Sequence, residues 1–347
     1  MLYTHVYLET IGYELAPVVV TTAKLEARLK PLYEALHFQP GQLEALTGIA
    51  ERRWWEPDTP LSKGAIAAGR KALEASSVSA GDIETLIYAG VCRENFEPAT
   101  ACRVAHGIGV SPTAALYDIS NACLGVLNGM FEIANRIELG QIRAGMVVSC
   151  ETAREINETM IARMLEEKRM DHFISSLATL TGGAGAVATL LTDGTFAGSL
   201  RHRLLGGVMR CAPEFHHLCH WGMETKSTGG MRPFMATDSV SVLKHGVKLG
   251  HLTWLDLLNE MDWTIDKVDR VICHQVGAKH QKQILNALGV PEEKDFPTYE
   301  YLGNIGTVSL PITAALADER GFLRNGDRVA FLGIGSGLNC MMLGLEW

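Results

Sequence analysis

Three residues of chemically capable type stand where a strand ends or a helix begins, and a glycine-rich turn accompanies them. Cys123 lies in Asp118-Ile119-Ser120-Asn121-Ala122-Cys123-Leu124-Gly125, where a polar, turn-prone stretch gives way to apolar residues at helical spacing. A thiol at or near a helix N-terminus meets unpaired backbone N–H groups and the positive end of the macrodipole. Both favour thiolate, the form that attacks a carbonyl carbon. Free cysteine is also among the most buried residue types, so position alone favours a small core residue. His274 ends the strand-like Val271-Ile272-Cys273-His274-Gln275-Val276, and Asn304 lies in Tyr301-Leu302-Gly303-Asn304-Ile305-Gly306-Thr307, where it would cap or begin the next helix. Taken singly, each of these fits a structural role as well. Gly333-Ile334-Gly335-Ser336-Gly337-Leu338 follows a strand, and its missing side chains let backbone N–H groups approach a ligand. Its spacing is not that of a dinucleotide site. Beside Cys123 it would serve as one side of an oxyanion hole.

The elements that must position these residues recur along the chain. Asp82-Ile83-Glu84-Thr85-Leu86-Ile87-Tyr88-Ala89 and Gly140-Gln141-Ile142-Arg143-Ala144-Gly145-Met146-Val147-Val148 read as buried strands. Asp269-Arg270-Val271-Ile272-Cys273-His274 and Gly326-Asp327-Arg328-Val329-Ala330-Phe331-Leu332 look alike in the same order. The separations agree, 140 minus 82 being 58 and 326 minus 269 being 57. A helix intervenes in each pair, one opening near Cys123 and the other near Asn304. This pattern predicts an internal duplication of two α/β halves, with parallel strands covered on both faces. Cys123, His274 and Asn304 then fall at corresponding places, and in α/β folds the carboxyl ends of strands face the ligand.

The expected organisation is an N-terminal half over 1–175 and a C-terminal half over 236–347, with an inserted cap over about 151–235. That middle stretch holds seven of the thirteen methionines, Met160, Met164, Met170, Met209, Met223, Met231 and Met235. Phe173, Phe215, Trp221 and Phe234 accompany them. Unbranched methionine suits a channel for a long flexible ligand, and it suits ordinary core packing too.

Bulk properties narrow the class of protein. The 347 residues are 47% hydrophobic and 20% charged, which describes an ordered globular chain with a substantial core. A net charge of -8 argues against a nucleic-acid partner, which requires a basic surface. The N-terminus reads as a first strand without the basic and apolar regions of a signal peptide, and no window reaches the length of a membrane span. The eight cysteines are scattered with no Cys-x-x-Cys pair, as expected of a reduced, cytoplasmic protein. His216-His217-Leu218-Cys219-His220, with Cys211 nearby, lacks a second group at zinc-like spacing, so no metal is assigned there.

With these residues in view, the chain resembles the thiolase-superfamily condensing enzymes of the ketoacyl-ACP synthase III type. The match runs from Leu46-Thr47-Gly48-Ile49 with Arg52-Arg53 to Trp347, and rests on Asn121-Ala122-Cys123, His274-Gln275, Gly303-Asn304 and the glycine turn. Arg93-Glu94-Asn95-Phe96-Glu97-Pro98-Ala99-Thr100-Ala101 and His274-Gln275-Val276 are similar to the OleA family, whose members join two fatty acyl-CoA chains head to head. Gly277-Ala278-Lys279 departs from the synthase III pattern and leaves no phosphate contact to carry over. A degradative thiolase would need a second cysteine just before the C-terminal glycine loop, where Phe331 stands.

The resemblance implies a layered α-β-α-β-α thiolase fold and a homodimer. It also implies a Claisen condensation of two acyl-CoA thioesters through an acyl-enzyme on Cys123, with no cofactor. His274 and Asn304 would bind the second carbonyl oxygen, and the backbone N–H groups of Cys123 and Gly337, beside Ser336, would form the oxyanion hole. Glu97 would be the base, reaching the site of the neighbouring subunit. Arg52, Met160, Met164, Phe173 and Met235 are expected to touch substrate. Three alternatives stay open at this point: a synthase III that decarboxylates a malonyl group on acyl carrier protein, a Cys-His-Asn thioester hydrolase, and a non-catalytic acyl-binding module.

Overall fold

Successive side chains of the buried strands enter different cores, and this makes the molecule layered. The computed structural model describes all residues except 197, 199–201 and 226–228. In chain order its strands are β1 (Tyr7–Leu15), β2 (Val18–Thr21), β3 (Glu51–Trp54), β4 (Thr85–Ala89), β5 (Ala115–Ile119), β6 (Ala144–Glu151) and β7 (Gly185–Thr192). There follow β8 (His202–Cys211), β9 (Cys219–Thr225), β10 (Met231–Thr237), β11 (Arg270–Cys273), β12 (Arg328–Gly335) and β13 (Asn339–Glu346). Nine of them form one sheet in the order β11-β12-β13-β8-β1-β7-β6-β4-β5. β4 runs parallel to β5 and β6, and β11 runs parallel to β12. At the centre β1 and β8 meet through Tyr7 with Arg203 and Leu8 with His202, a narrow seam between two half-sheets.

Ile87, Val147 and Val187 from the first half-sheet and Ile272, Phe331 and Leu343 from the second enter a central core, filled by the helices Gly125–Glu138 and Ser309–Glu319. Their strand neighbours Leu86, Tyr88, Met146 and Val148 turn the other way, into a core under the helices Leu61–Glu74 and Thr100–Ile108. Val271, Cys273, Ala330 and Met342 face a third core under Ser239–Glu260 and Ala278–Leu288. The result is the α-β-α-β-α order of a thiolase-like fold, each fully buried aliphatic or aromatic side chain contributing about 1.5–3 kcal/mol.

The duplication has a definite form. β4 and β6 of the first half correspond to β11 and β12 of the second, and the counterpart of β5 is a single parallel bridge between Val271 and Asp295. Asp118 on β5 accepts the N–H groups of Thr100 and Ala101, both at 2.9 Å, at the start of one helix. Asp295, at the matching place, accepts the Cys273 N–H at 3.3 Å and the Gln281 amide at 2.7 Å.

The expected boundaries need correction. β7 and β8 both lie within the stretch read as an insert, yet β7 completes the first half-sheet and β8 belongs to the second. The halves therefore meet between 192 and 202, and the inserted material is two separate pieces: the helices Arg154–Glu167 and Met170–Leu180, and the β9–β10 hairpin. Composition averaged over the whole stretch hid the two sheet strands inside it, of which β7 is buried throughout. No helix among the described residues is long and apolar enough to cross a membrane.

Candidate active site

The chemically capable side chains gather at the carboxyl ends of the parallel strands. β5 ends at Ile119, and three residues later the chain turns sharply through Ala122, whose φ of 45° is a left-handed conformation costly for a residue with a Cβ. That turn presents Cys123 ahead of the helix Gly125–Glu138. It is held from several sides. The Leu124 N–H donates to Asn121 O at 2.9 Å, Asn339 donates to Asn121 Oδ1 at 2.9 Å, and Asn121 donates in turn to Asn128. A Cβ at Gly335 would come within 3.3 Å of the Cys123 nitrogen, so the glycine lets β12 approach the nucleophile's backbone. The Val126 N–H is taken by Thr307 Oγ1 of the other half at 2.8 Å.

His274 follows β11 directly, its N–H donating to Leu332 O at 3.0 Å and so prolonging the parallel pairing by one residue. Asn304 stands two residues before a single 3-10 turn, Gly306–Val308, whose N-cap is Ile305, and the α-helix begins only at Ser309, so Asn304 is the cap of neither. Its Oδ1 accepts the Gly306 N–H at 3.1 Å, which leaves the side-chain NH₂ as a donor.

Two chambers meet here. One, of about 1040 Å³, contains His274, His280 and Gln281, and runs between the helices Ser239–Glu260 and Ala278–Leu288 past Leu243, Gly246 and Ile284. The other, of about 990 Å³, contains Glu151 and runs past Ile156, Thr179 and Gly182 toward Trp221. Cys123, Ala178, Cys219, Met235, Asn304 and Ser336 line both.

Burial governs the electrostatics. It lowers His274 to about 4, with His280 adding to the effect, so the ring is neutral at physiological pH and carries one N–H donor. His280 is likewise lowered to about 4, by burial and then by Lys279. Burial pushes the Cys123 thiol up to about 12, with Cys219 and Glu151 contributing, and this reverses the direction expected from the helix start alone. The resting site thus holds a thiol and neutral donors.

Residues 57–198 match the family model of the thiolase N-terminal domain, and residues 258–347 that of the 3-oxoacyl-[acyl-carrier-protein] synthase III C terminal. An acyl-CoA:acyl-CoA alkyltransferase of Shewanella oneidensis is 55% identical over 100% of both chains, and one of Xanthomonas campestris is 34% identical over 100% of both. The chain belongs to the acyl-CoA:acyl-CoA alkyltransferase family. Among solved structures, cerulenin-bound OleA of Xanthomonas campestris matches with a TM-score of 0.93 at 34% identity, over 100% of this chain and 98% of that one. A cysteine-to-serine variant of the same OleA, with bound lauric acid and lauroyl-CoA, gives 0.92 at 33% identity over 100% of both.

Not every residue expected at the alkyltransferase site stands there. Glu97 lies on an exposed loop and lines neither chamber of its own chain. Arg52 is fully buried and lines neither chamber: it donates to Thr22 Oγ1 at 2.8 Å and to Leu180 O at 3.2 Å, and burial lowers it to about 10, still cationic at neutral pH. It is an internal strut between the small β2–β3 sheet and a cap helix. Met164 and Phe173 belong to the core under that sheet, Phe173 against Tyr33 and Phe38, and Met160 is 2% exposed without lining a chamber. Of the methionines singled out for substrate, Met235 alone lines the chambers. Ser336 lines both, whereas Gly337 lies in neither wall.

Two wall residues escaped the sequence reading. Cys219, seen there only as part of a histidine-rich cluster, stands with Cys123 in both chambers. Glu151 ends β6, and an acid at the carboxyl end of a buried strand was the available signal. No group of three His, Cys, Asp or Glu among the described residues is placed to hold a metal ion.

Proposed function

We propose that this alkyltransferase-family protein joins two long-chain fatty acyl-CoA thioesters head to head, by a Claisen condensation without decarboxylation, to give a β-keto product. The observation that carries the reading is the pair of chambers meeting at one thiol, with six wall residues in common. A hydrolase or a simple binding module needs one acyl chamber, and a condensation of two long chains needs two.

In the first step Cys123 attacks the carbonyl of one acyl-CoA, its N–H and the Ser336 turn facing the developing oxyanion. The proton lost by the buried thiol leaves on the departing CoA sulfur, with neutral His274 in the same chamber as its carrier. The second thioester then sets its carbonyl oxygen between the His274 N–H and the Asn304 NH₂. Two neutral donors stabilise an enolate without neutralising it in advance.

The α-proton is taken by Glu97. The enolate carbon attacks the acyl carbonyl on Cys123, the C–S bond breaks, and the sulfur recovers the proton from the glutamate. Glu97 is exposed and lines neither chamber of its own chain, which supports the reading that it serves the neighbouring copy in a homodimer. The thioesters supply all the chemistry, so no cofactor takes part. An acyl carrier protein is an alternative thioester carrier. The eight free cysteines fit a reducing cytoplasm.

The deciding experiment offers long-chain acyl-CoA alone. A β-keto product, with an acyl mass added to Cys123 during turnover, supports the condensation. Free fatty acid as the sole product would identify a hydrolase, and product formed only with malonyl carrier protein would identify a decarboxylating synthase.

A further inference from the structure

Among the described residues Glu151 is the one carboxyl in the walls of either chamber, and no step above uses it. It is 4% exposed at the end of β6, and both of its oxygens turn toward the same short piece of chain. The Val91 N–H donates to Oε1 at 2.9 Å and the Cys92 N–H donates to Oε2 at 3.2 Å. These amides open the loop that leaves β4 and carries Glu97. Glycines make room for the carboxyl: a Cβ at Gly90 would lie 3.0 Å from Oε1, and one at Gly306 would lie 3.3 Å from Cγ. The Cys92 thiol adds a third tie, to Thr152 O at 3.3 Å.

Farther along, the loop is pinned outside the cavity. Glu94 accepts the Ser62 N–H at 2.7 Å and pairs with Arg103 at 2.9 Å, and Asp118 accepts the two amides where the loop rejoins a helix. Only the root of the loop is held from inside a chamber. A carboxylate accepting two backbone amides is a strong, directional fastening in a dry site.

We propose that Glu151 is a positioning residue that latches the root of the loop and so sets where Glu97 stands in the neighbouring copy's site. This rests on the reading that Glu97 works across the dimer. A glutamine at 151 keeps the shape but turns an NH₂ toward one of the two amides, which loses an acceptor and sets donor against donor. The loop then loosens at its root, while the change at Cys123 is limited to the loss of a neighbouring carboxyl.

The test uses mixed dimers of the full-length protein. Cys123→Ala mixed with Glu97→Gln gives a reference, in which one intact site forms from the cysteine of one copy and the glutamate of the other. Glu151→Gln is then added to one chain or the other. Placed on the Cys123→Ala chain, which supplies the Glu97 loop, it should lower condensation about tenfold, the usual worth of a hydrogen bond to a charged group. Placed on the Glu97→Gln chain, which supplies the thiol, it should change condensation by no more than it changes the rate of Cys123 acylation. A larger defect that follows the thiol-bearing chain, or none in either mixture, overturns the latch.

Acylation of Cys123 in the Glu151→Gln homodimer reports a folded site, and its rate relative to wild type measures what loss of the carboxyl does to the thiol beside it. If that variant fails to acylate, Gly90→Ala, which crowds Oε1, takes its place in the same mixtures. If the reference mixture shows no recovery, the action of Glu97 across the dimer is what fails. The homodimers then decide: Glu151→Gln must reduce condensation about tenfold in wild type and by no more than it changes acylation in a Glu97→Gln background, and any other pattern rejects the latch.

Discussion

β4 and β11 are the same strand in two halves of one duplicated fold, and each releases the chain at the catalytic end of the sheet. After β11 the connection covers 274–277, is largely enclosed, and delivers His274 into the chamber of its own chain. After β4 it covers 90–99, and Phe96, Glu97 and Pro98 near its tip are exposed. A short crossover can only furnish the local site. A long one reaches outward, and here its acid is absent from the local walls. Duplication thus supplied two equivalent exits from the sheet, and loop length separates a histidine held in its own chamber from an acid carried outward, the proposed base for a neighbouring copy.

The comparison breaks most visibly under complementation. Cys123→Ala should abolish both the acyl-enzyme and CoA release, and Glu97→Gln should keep acylation but lose on the order of 10²–10⁴ in condensation rate. Mixing the two should restore about a quarter of wild-type condensation, since half the dimers of a two-fold assembly are mixed and each holds one intact site. No recovery on mixing would mean that both loops serve their own chain. His274→Ala should cost about 10²-fold in condensation. Because His274 and Cys123 belong to one chain's site, mixing that variant with Cys123→Ala should rescue nothing.

A pH experiment probes the enclosed loop by itself. The native pKa of His274 lies near 4, below the 6.5 of an unfolded histidine, so between these values the unfolded chain binds more protons than the folded one. Stability is fully present above pH 6.5 and is lost as the pH falls toward 4. Denaturant titrations at pH 7.5 and 5 should differ by about 2 kcal/mol from this group, and His274→Gln should remove that part of the difference. An unchanged difference would mean that the ring is not buried neutral. The smallest effects concern the walls. Met235→Trp should shorten the acyl chains accepted, read from the product distribution, whereas Met160→Trp should leave that distribution unchanged and lower stability by about 1–3 kcal/mol through overpacking.

Cys123, His274 and Asn304 were legible in the sequence because each sits where an apolar run stops beside short polar or glycine-rich punctuation, and strand ends face ligands. The strand pairs were legible for the same reason. Arg52 was misread because an arginine is seldom enclosed, and only its backbone and hydroxyl partners reveal a strut. The methionines divided between core and chamber in a way that composition does not register, since adaptable side chains serve both. The upward shift of Cys123 was also out of reach: periodicity locates a helix start, while desolvation depends on walls contributed by β9, β10 and β12. Glu151 shows its role only through the amides of a loop some sixty positions earlier in the chain.

The β9–β10 hairpin places Cys219 and Met235 in the walls of both chambers at once. A chain lodged on one side therefore alters the partition that the other must lie against. Selection of the two substrates is then joint: offered a mixture of short and long acyl-CoA, the protein should give crossed and uncrossed products in proportions that depart from the product of the separate preferences.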